Sequence, residues 1–329
     1  MVATAPVRVA DAGGWTDTWF AGHGLVCSVA ATPGATVRVA LDRSAPATVD
    51  VVVASFAERY GYPAGDPPGR HPLLEAALAT YAPGGSLSVS VATAVPPGSG
   101  VGTSAAVTVA LIGALLVLGG SDAAPDVVAR AAHAIETDEL GQQSGVQDQL
   151  AASHGGVSLI TIAEFPRATV TGLPLSPNTW QALDRRLLTI YLGRPHASST
   201  VHEEVIASFT EDPARLDELQ PLRDAAAAAA GALVAGDLDA YGAALQANTA
   251  AQVRLHPSLV SPAAHGVLDL ARRHGALGGK VNGAGGDGGS VTLVCGDDVT
   301  GLRRAIAGAG WRILDLTPSR AGLCVEQVL

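Results

Sequence analysis

The chain has 329 residues, 48% of them apolar and 15% charged, with a formal net charge of −10. That length accommodates about two domains of ~150 residues or one large α/β body. The acidic balance, with no compensating basic run, argues against a nucleic-acid binder, which needs Lys and Arg to displace counterions from phosphates. Aromatics are only 4%, so the core is built mostly from Ala, Val and Leu; Lys280 is the single lysine beside nineteen arginines. The cysteines Cys27, Cys295 and Cys324 form no CxxC pair, and their odd number argues against a disulfide framework. A reduced, cytoplasmic protein is expected. Arg8, Asp11 and Asp17 interrupt the start of the chain, which leaves no signal-peptide pattern there.

In chain order, Val7–Val9 and Gly24–Ala30 read as short strands around the turn Asp11–Thr18, and 36–41 and 49–54 continue the β pattern. A helix over 71–81 stops at Pro83-Gly84-Gly85, and the period-two alternation of 86–91 predicts a half-buried strand. The glycine-rich PPGSGVGTSAA, Pro96–Ala106, follows and opens a long apolar helix to about Leu118. Pro96–Gly120 carries no charge and imitates a membrane span, but its continuous apolar helix is too short for the ~20 residues a bilayer needs. Helices are expected from about 125 to 140 and over 145–152, then a strand at 157–161, a polar stretch at 165–181 and a strand at 187–192. Helices at 217–233, 238–249 and 262–274 lead to a second glycine-rich loop at 280–289 and a strand at 290–295. A last helix at 302–309 and extended segments at 311–316 and 325–329 close the chain. Strands and helices mix in both halves, with a boundary near residue 180.

The loop Pro97-Gly98-Ser99-Gly100-Val101-Gly102-Thr103-Ser104 combines glycines that permit close approach with a helix N-terminus whose free N–H groups attract anions. Hydroxyls at Thr103 and Ser104 add donors or a magnesium ligand. The combination suits a triphosphate, although a plain capped glycine turn would look similar. No Gly-Lys-Ser/Thr makes it a Walker A loop, and no acidic ribose ligand makes it a dinucleotide fingerprint.

Three segments, APVRVADAGGWTDT, PPGSGVGTSAA and GGKVNGAGGDGG, resemble in order the three motifs of the GHMP kinases, the superfamily of galactokinase, homoserine kinase, mevalonate kinase and phosphomevalonate kinase. The resemblance runs from Ala5 to about Cys295. It implies an α+β, two-domain GHMP kinase fold: an N-terminal ribosomal protein S5 domain 2-like ATP-binding domain over 1–180 and a C-terminal ferredoxin-like domain over 181–329. The form Gly13–Thr18 is similar to that of fucokinases and bacterial heptose 7-phosphate kinases, and Ile190–Ser199 is similar to the segment opening their second domain. Such relatives phosphorylate an anomeric hydroxyl with ATP and Mg2+.

Carried over residue by residue, the resemblance implies that Asp148 faces the acceptor hydroxyl, taking or orienting its proton. Arg8 would stand at the reacting centre, neutralising the moving phosphoryl or holding Asp148 ionised. Glu136 would bind magnesium with Ser104, Asp138 and Glu139 being competing carboxylates. Asp17 would accept hydrogen bonds from sugar hydroxyls, with Gly14 and Trp15 beside it; Trp15 fits a core role equally well. Arg194, His196 and Arg254 could anchor a phosphate already on the sugar. Gly285, in Gly283–Gly286, would lie beside the phosphate loop. Asp287 departs from the usual small residue there, and Lys280 suits loop support as well as phosphate contact. The expected partner is a small sugar or sugar phosphate, with no nucleic acid and no membrane, acting on a monomer or homodimer. Another GHMP small-molecule kinase, or a catalytically silent binding protein on the same fold, are the competing readings.

Overall fold

The structure, a computed structural model, describes residues 1–193 and 199–328. The first half runs β1 (Val2–Ala12), β2 (Gly24–Asp42), β3 (Thr48–Val53), β4 (Glu58–Pro63), α1 (Pro72–Tyr81), β5 (Ser86–Thr93), α2 (Thr103–Leu118), α3 (Pro125–Ala134), α4 (Gln147–His154), β6 (Val157–Glu164) and β7 (Arg167–Gly172). It continues with α5 (Pro177–Arg186), β8 (Leu187–Tyr191), α6 (Ser199–Glu211), α7 (Gln220–Ala235), α8 (Leu238–Leu255), α9 (Pro262–Arg273), β9 (Gly278–Val281), β10 (Ser290–Val294), α10 (Val299–Gly308), β11 (Arg312–Leu314), β12 (Thr317–Pro318) and β13 (Cys324–Glu326).

Two sheets organise these elements. The larger has the order β13-β1-β2-β5-β3-β4, with β6 and β12 also on β2 and β7 on β6; the smaller is antiparallel, in the order β11-β8-β10-β9. The larger sheet alternates as its sequence requires: Leu87, Val89 and Val91 of β5 are buried while Ser88 is exposed. Helix α2 lies at its centre, packed against β1 and β2 on one side and α1, α3 and α4 on the others. That surrounding explains why α2 is apolar all round, with Ala105, Val109, Ile112 and Leu115 all fully buried. No helix of the described residues is long and apolar enough to cross a membrane.

Several elements differ from the sequence reading, each for a tertiary reason. The segments expected as separate strands around Pro33 form one 19-residue strand, β2. Pro33 falls where β2 bulges opposite Pro6, between the pairs Ala5–Ala35 and Val7–Ala31, so no ladder hydrogen bond is required of it. The edge strands β4 and β7 and the helices α5 and α6 emerge from stretches with weak periodicity; β4 carries Glu58, Arg59 and Gly61, as a solvent-facing edge tolerates. The helix expected to reach 140 leaves α geometry at Ala134 and passes through a π-type turn, Ile135–Glu139. The tip of β1 bulges between Val9 and Ala12, with Ala10 at φ 54°, and buries Asp11 beside Arg8 near the junction of the two sheets.

Candidate active site

A cleft of about 660 Å³ opens between the glycine loop at the start of α2, the turn after β1, and the loop after β9. Arg8, Asp17, Asp148, Ser104 and Gly283 are among the residues of its wall. The α2 loop is shaped by Gly98, Gly100 and Gly102, all near φ 70°, a conformation other residues rarely adopt. Its backbone is anchored from behind: the Arg8 N–H donates to Val101 O at 2.9 Å, and Ser290 Oγ donates to Ser99 O at 2.6 Å. Thr103 Oγ1 is buried and makes no protein hydrogen bond. An orphaned hydroxyl at the N-terminus of a 16-residue helix fits a phosphate oxygen.

Arg8, 4% exposed, grips Asp148 at two points, Nε to Oδ1 at 2.8 Å and Nη2 to Oδ2 at 3.1 Å. Its Nη1 also donates to Gly100 O, tying the clamp to the glycine loop. Burial opposes the Arg8 charge, but Asp11 and Asp148 more than offset it and hold the guanidinium above its ordinary range. Asp148 lies in the first turn of α4, where an N-terminal carboxylate is favoured.

Asp17 is the second carboxylate on the wall. Its Oδ2 accepts the Gln147 N–H at 3.1 Å, and burial pushes its carboxyl up to about 6 despite that bond. Trp15 packs its ring 5.0 Å from His202 on α6 and close to Phe20, at the same end of the cleft. Thus Trp15 both lines the cleft and belongs to a buried cluster with Val205 and Phe209.

Glu136 stands behind this wall. Burial pushes it up to about 7, opposed by hydrogen bonds from Ser144 Oγ at 2.6 Å and Gln149 Nε2 at 2.8 Å, both to Oε2. A desolvated carboxylate with one oxygen left to other partners suits a divalent cation, as does the cleft-facing Ser104 hydroxyl. Among the described residues no group of three or more His, Cys, Asp or Glu could hold a metal alone. A cation here would therefore draw most of its ligands from substrate phosphates and water, the usual habit of magnesium.

The structure thus brings Arg8, Asp148, Asp17, Trp15, Pro97, Gly98, Ser99, Gly100, Gly102, Thr103 and Ser104 to one cleft. Gly14, Val101, Gly285 and Glu136 lie behind its surface rather than on it. Arg194 and His196 fall outside the described residues. Sequence reasoning overlooked the polar side chains that join the loops. Asn282 Oδ1 accepts from Ala10 N and Thr292 Oγ1, each at 3.0 Å, while Asn248 Oδ1 accepts the Gly13 N–H at 2.8 Å. Asn282 lies inside the third glycine motif and was open to suspicion; Asn248, mid-helix in α8, carried no local signal.

Residues 72–156 match the family model described as GHMP kinases N terminal domain. The chain is 26% identical over 257 residues to a mevalonate kinase of Thermococcus sibiricus, covering 74% of this chain and 70% of that one. It is also 26% identical over 212 residues to the bifunctional fucokinase/GDP-fucose pyrophosphorylase of Arabidopsis thaliana, covering 63% of this chain and 20% of that longer protein. Among solved structures, a D-glycero-D-manno-heptose 1-phosphate kinase from Bacteriodes thetaiotaomicron superimposes with a TM-score of 0.79 at 17% identity, covering 100% of this chain and 99% of that one. The two-part α/β architecture is the one expected from the three motifs.

Proposed function

We infer that this chain, a member of the GHMP kinase superfamily and an ATP-dependent small-molecule kinase, transfers the γ-phosphoryl group to a sugar hydroxyl, the anomeric one of a hexose, deoxyhexose or heptose 7-phosphate. The observation that carries this reading is the Arg8–Asp148 clamp on a cleft wall that also presents Asp17 and a glycine-lined helix N-terminus. Two carboxylates at the acceptor end welcome a ligand rich in hydroxyl donors and disfavour one that brings its own carboxylate.

In this reading the triphosphate lies over Gly98–Ser104, with the α2 N–H groups and the Thr103 hydroxyl as donors. Asp17 accepts from the sugar and fixes its orientation. Asp148 accepts or orients the proton of the attacking hydroxyl; that oxygen bonds the γ-phosphorus as the bond from the γ-phosphorus to the β,γ-bridging oxygen breaks, and ADP departs. Arg8 keeps Asp148 aimed and places positive charge at the centre of the transfer. Ser104 on the cleft wall, with Glu136 behind it, would hold magnesium, which would neutralise phosphate charge when bound.

Magnesium-dependent ADP release is the test, measured across free sugars, sugar phosphates and mevalonate, with phosphorus NMR locating the new phosphate. A sugar 1-phosphate product supports the reading. Turnover on mevalonate alone supports the second reading, favoured by the archaeal relatives of that name. Asp148→Asn is expected to lower kcat about 10²–10⁴-fold, and an Asp148→Asn protein with full turnover removes the proposed role.

A further inference from the structure

The only lysine of the chain lies where no ligand reaches it. Lys280, on β9, and Asp11, at the β1 bulge, are both fully buried and form an ion pair at 3.1 Å between Nζ and Oδ1. The same Oδ1 stands 3.7 Å from Arg8 Nη1 and accepts the Gly283 N–H at 3.4 Å. Charges therefore alternate along one line, from buried Lys280, Asp11 and Arg8 to half-buried Asp148, and only the last two reach the cleft wall.

We propose that Lys280 is a positioning residue: by pairing with Asp11 it keeps that carboxylate from drawing Arg8 away, and so leaves the guanidinium in its two-point clamp on Asp148. The proposal rests on the reading of Asp148 as the acceptor-facing group. Its physical basis is competition for one cation. Arg8 has carboxylates on two sides, 2.8 Å away at Asp148 and 3.7 Å away at Asp11. With Lys280 present, the four charges sum to zero and Asp11 has a nearer partner. Without it, Asp11 is a buried anion with one cation in reach, and low-dielectric attraction pulls Arg8 toward it. The same pair ties the loop after β9 to β1, because Asp11 also holds the Gly283 N–H. Direct phosphate contact by Lys280 is disfavoured by its complete burial.

The test is a double-mutant cycle read in two ways. Lys280→Met is expected to lower kcat about 50-fold while KM for ATP stays within about twofold, and Lys280→Met with Asp11→Asn, which leaves no unpaired charge, to recover to within about fivefold of the parent. Independently of turnover, the Arg8 Nε–H proton signal, assigned by its disappearance in Arg8→Lys, is expected to shift in Lys280→Met and to return in the double variant. An unmoved Arg8 signal, a double variant no better than the single one, or a loss confined to KM for ATP overturns the proposal. If Lys280→Met does not fold, the double variant carries the test: a retained Arg8 signal with kcat within fivefold supports it, and loss of both overturns it. Should the parent phosphorylate no acceptor, the kinase reading fails while the Arg8 signal still decides the positioning role.

Discussion

The two glycine-rich loops that face each other across the junction look alike in composition and are used in opposite ways. In the loop before α2, Gly98, Gly100 and Gly102 line the cleft and leave a hydroxyl, that of Thr103, without a protein partner. In the loop after β9, Gly285 and Gly286 turn toward protein: the Gly286 N–H donates to Leu259 O at 3.0 Å, and a Cβ on Gly285 would come within 2.3 Å of that same carbonyl. At Gly102 the missing side chain leaves room beside Asp148 on the cleft wall, whereas at Gly285 it lets two backbones touch. Glycine spacing alone does not separate these uses; the neighbouring chain does.

The largest expected effect probes the second loop. Gly285→Ala combines a positive φ with a backbone overlap that no side chain can relieve, and is expected to cost about 4 kcal/mol of stability, read by urea unfolding. Gly102→Ala tests the first loop. Its Cβ would stand 3.2 Å from Asp148 Oδ2 and 3.4 Å from Arg8 Cγ, so kcat is expected to fall about 100-fold, more than its stability loss of about 1 kcal/mol would suggest. Equal losses of stability in the two variants, with kcat of the folded fraction unchanged, would erase the distinction between the loops.

The carboxylates behind these loops extend the contrast. Asp11 is paired with cations, whereas Asp17 is raised to about 6 by burial. A raised acid binds its proton in the folded state before the unfolded chain does. Ionised Asp17 therefore costs stability above pH 6, and that cost disappears as pH falls through 6 toward 4. Asp17→Asn is accordingly expected to be more stable than the parent by about 2 kcal/mol at pH 8, with the difference closing near pH 4, while its KM for the acceptor rises. Thermal melts across that range check the sign. The smallest effect is that of Thr103→Val, which removes the orphaned hydroxyl: KM for ATP is expected to rise about tenfold with little change in melting temperature.

Much of the fold and of the site was legible along the chain. The period-two pattern of 86–91 and the uncharged run into α2 reported real burial, because alternation and uniform apolarity are what one-sided and all-round packing select. Arg8, Asp17 and the 97–104 loop are legible in their motifs and Asp148 in the family resemblance, and the structure brings all of these except Val101 to one cleft. The edge strands β4 and β7 were not legible, since an edge exposed on one side imposes little pattern. Asn248 was hidden as well: its partner, the Gly13 N–H, is 235 residues away.

By itself, the sequence determined the order of the three glycine motifs, the acidic charge balance and the presence of one lysine. These are properties of local chain chemistry and composition. Only the tertiary structure decided which charge the lysine meets. Lys280 joins Asp11 across 269 residues of sequence, and the meaning of a buried charge depends on which opposite charge folding places beside it. The same holds for the glycines: their permissiveness is local, but whether the space they leave belongs to a ligand or to another backbone is settled by packing.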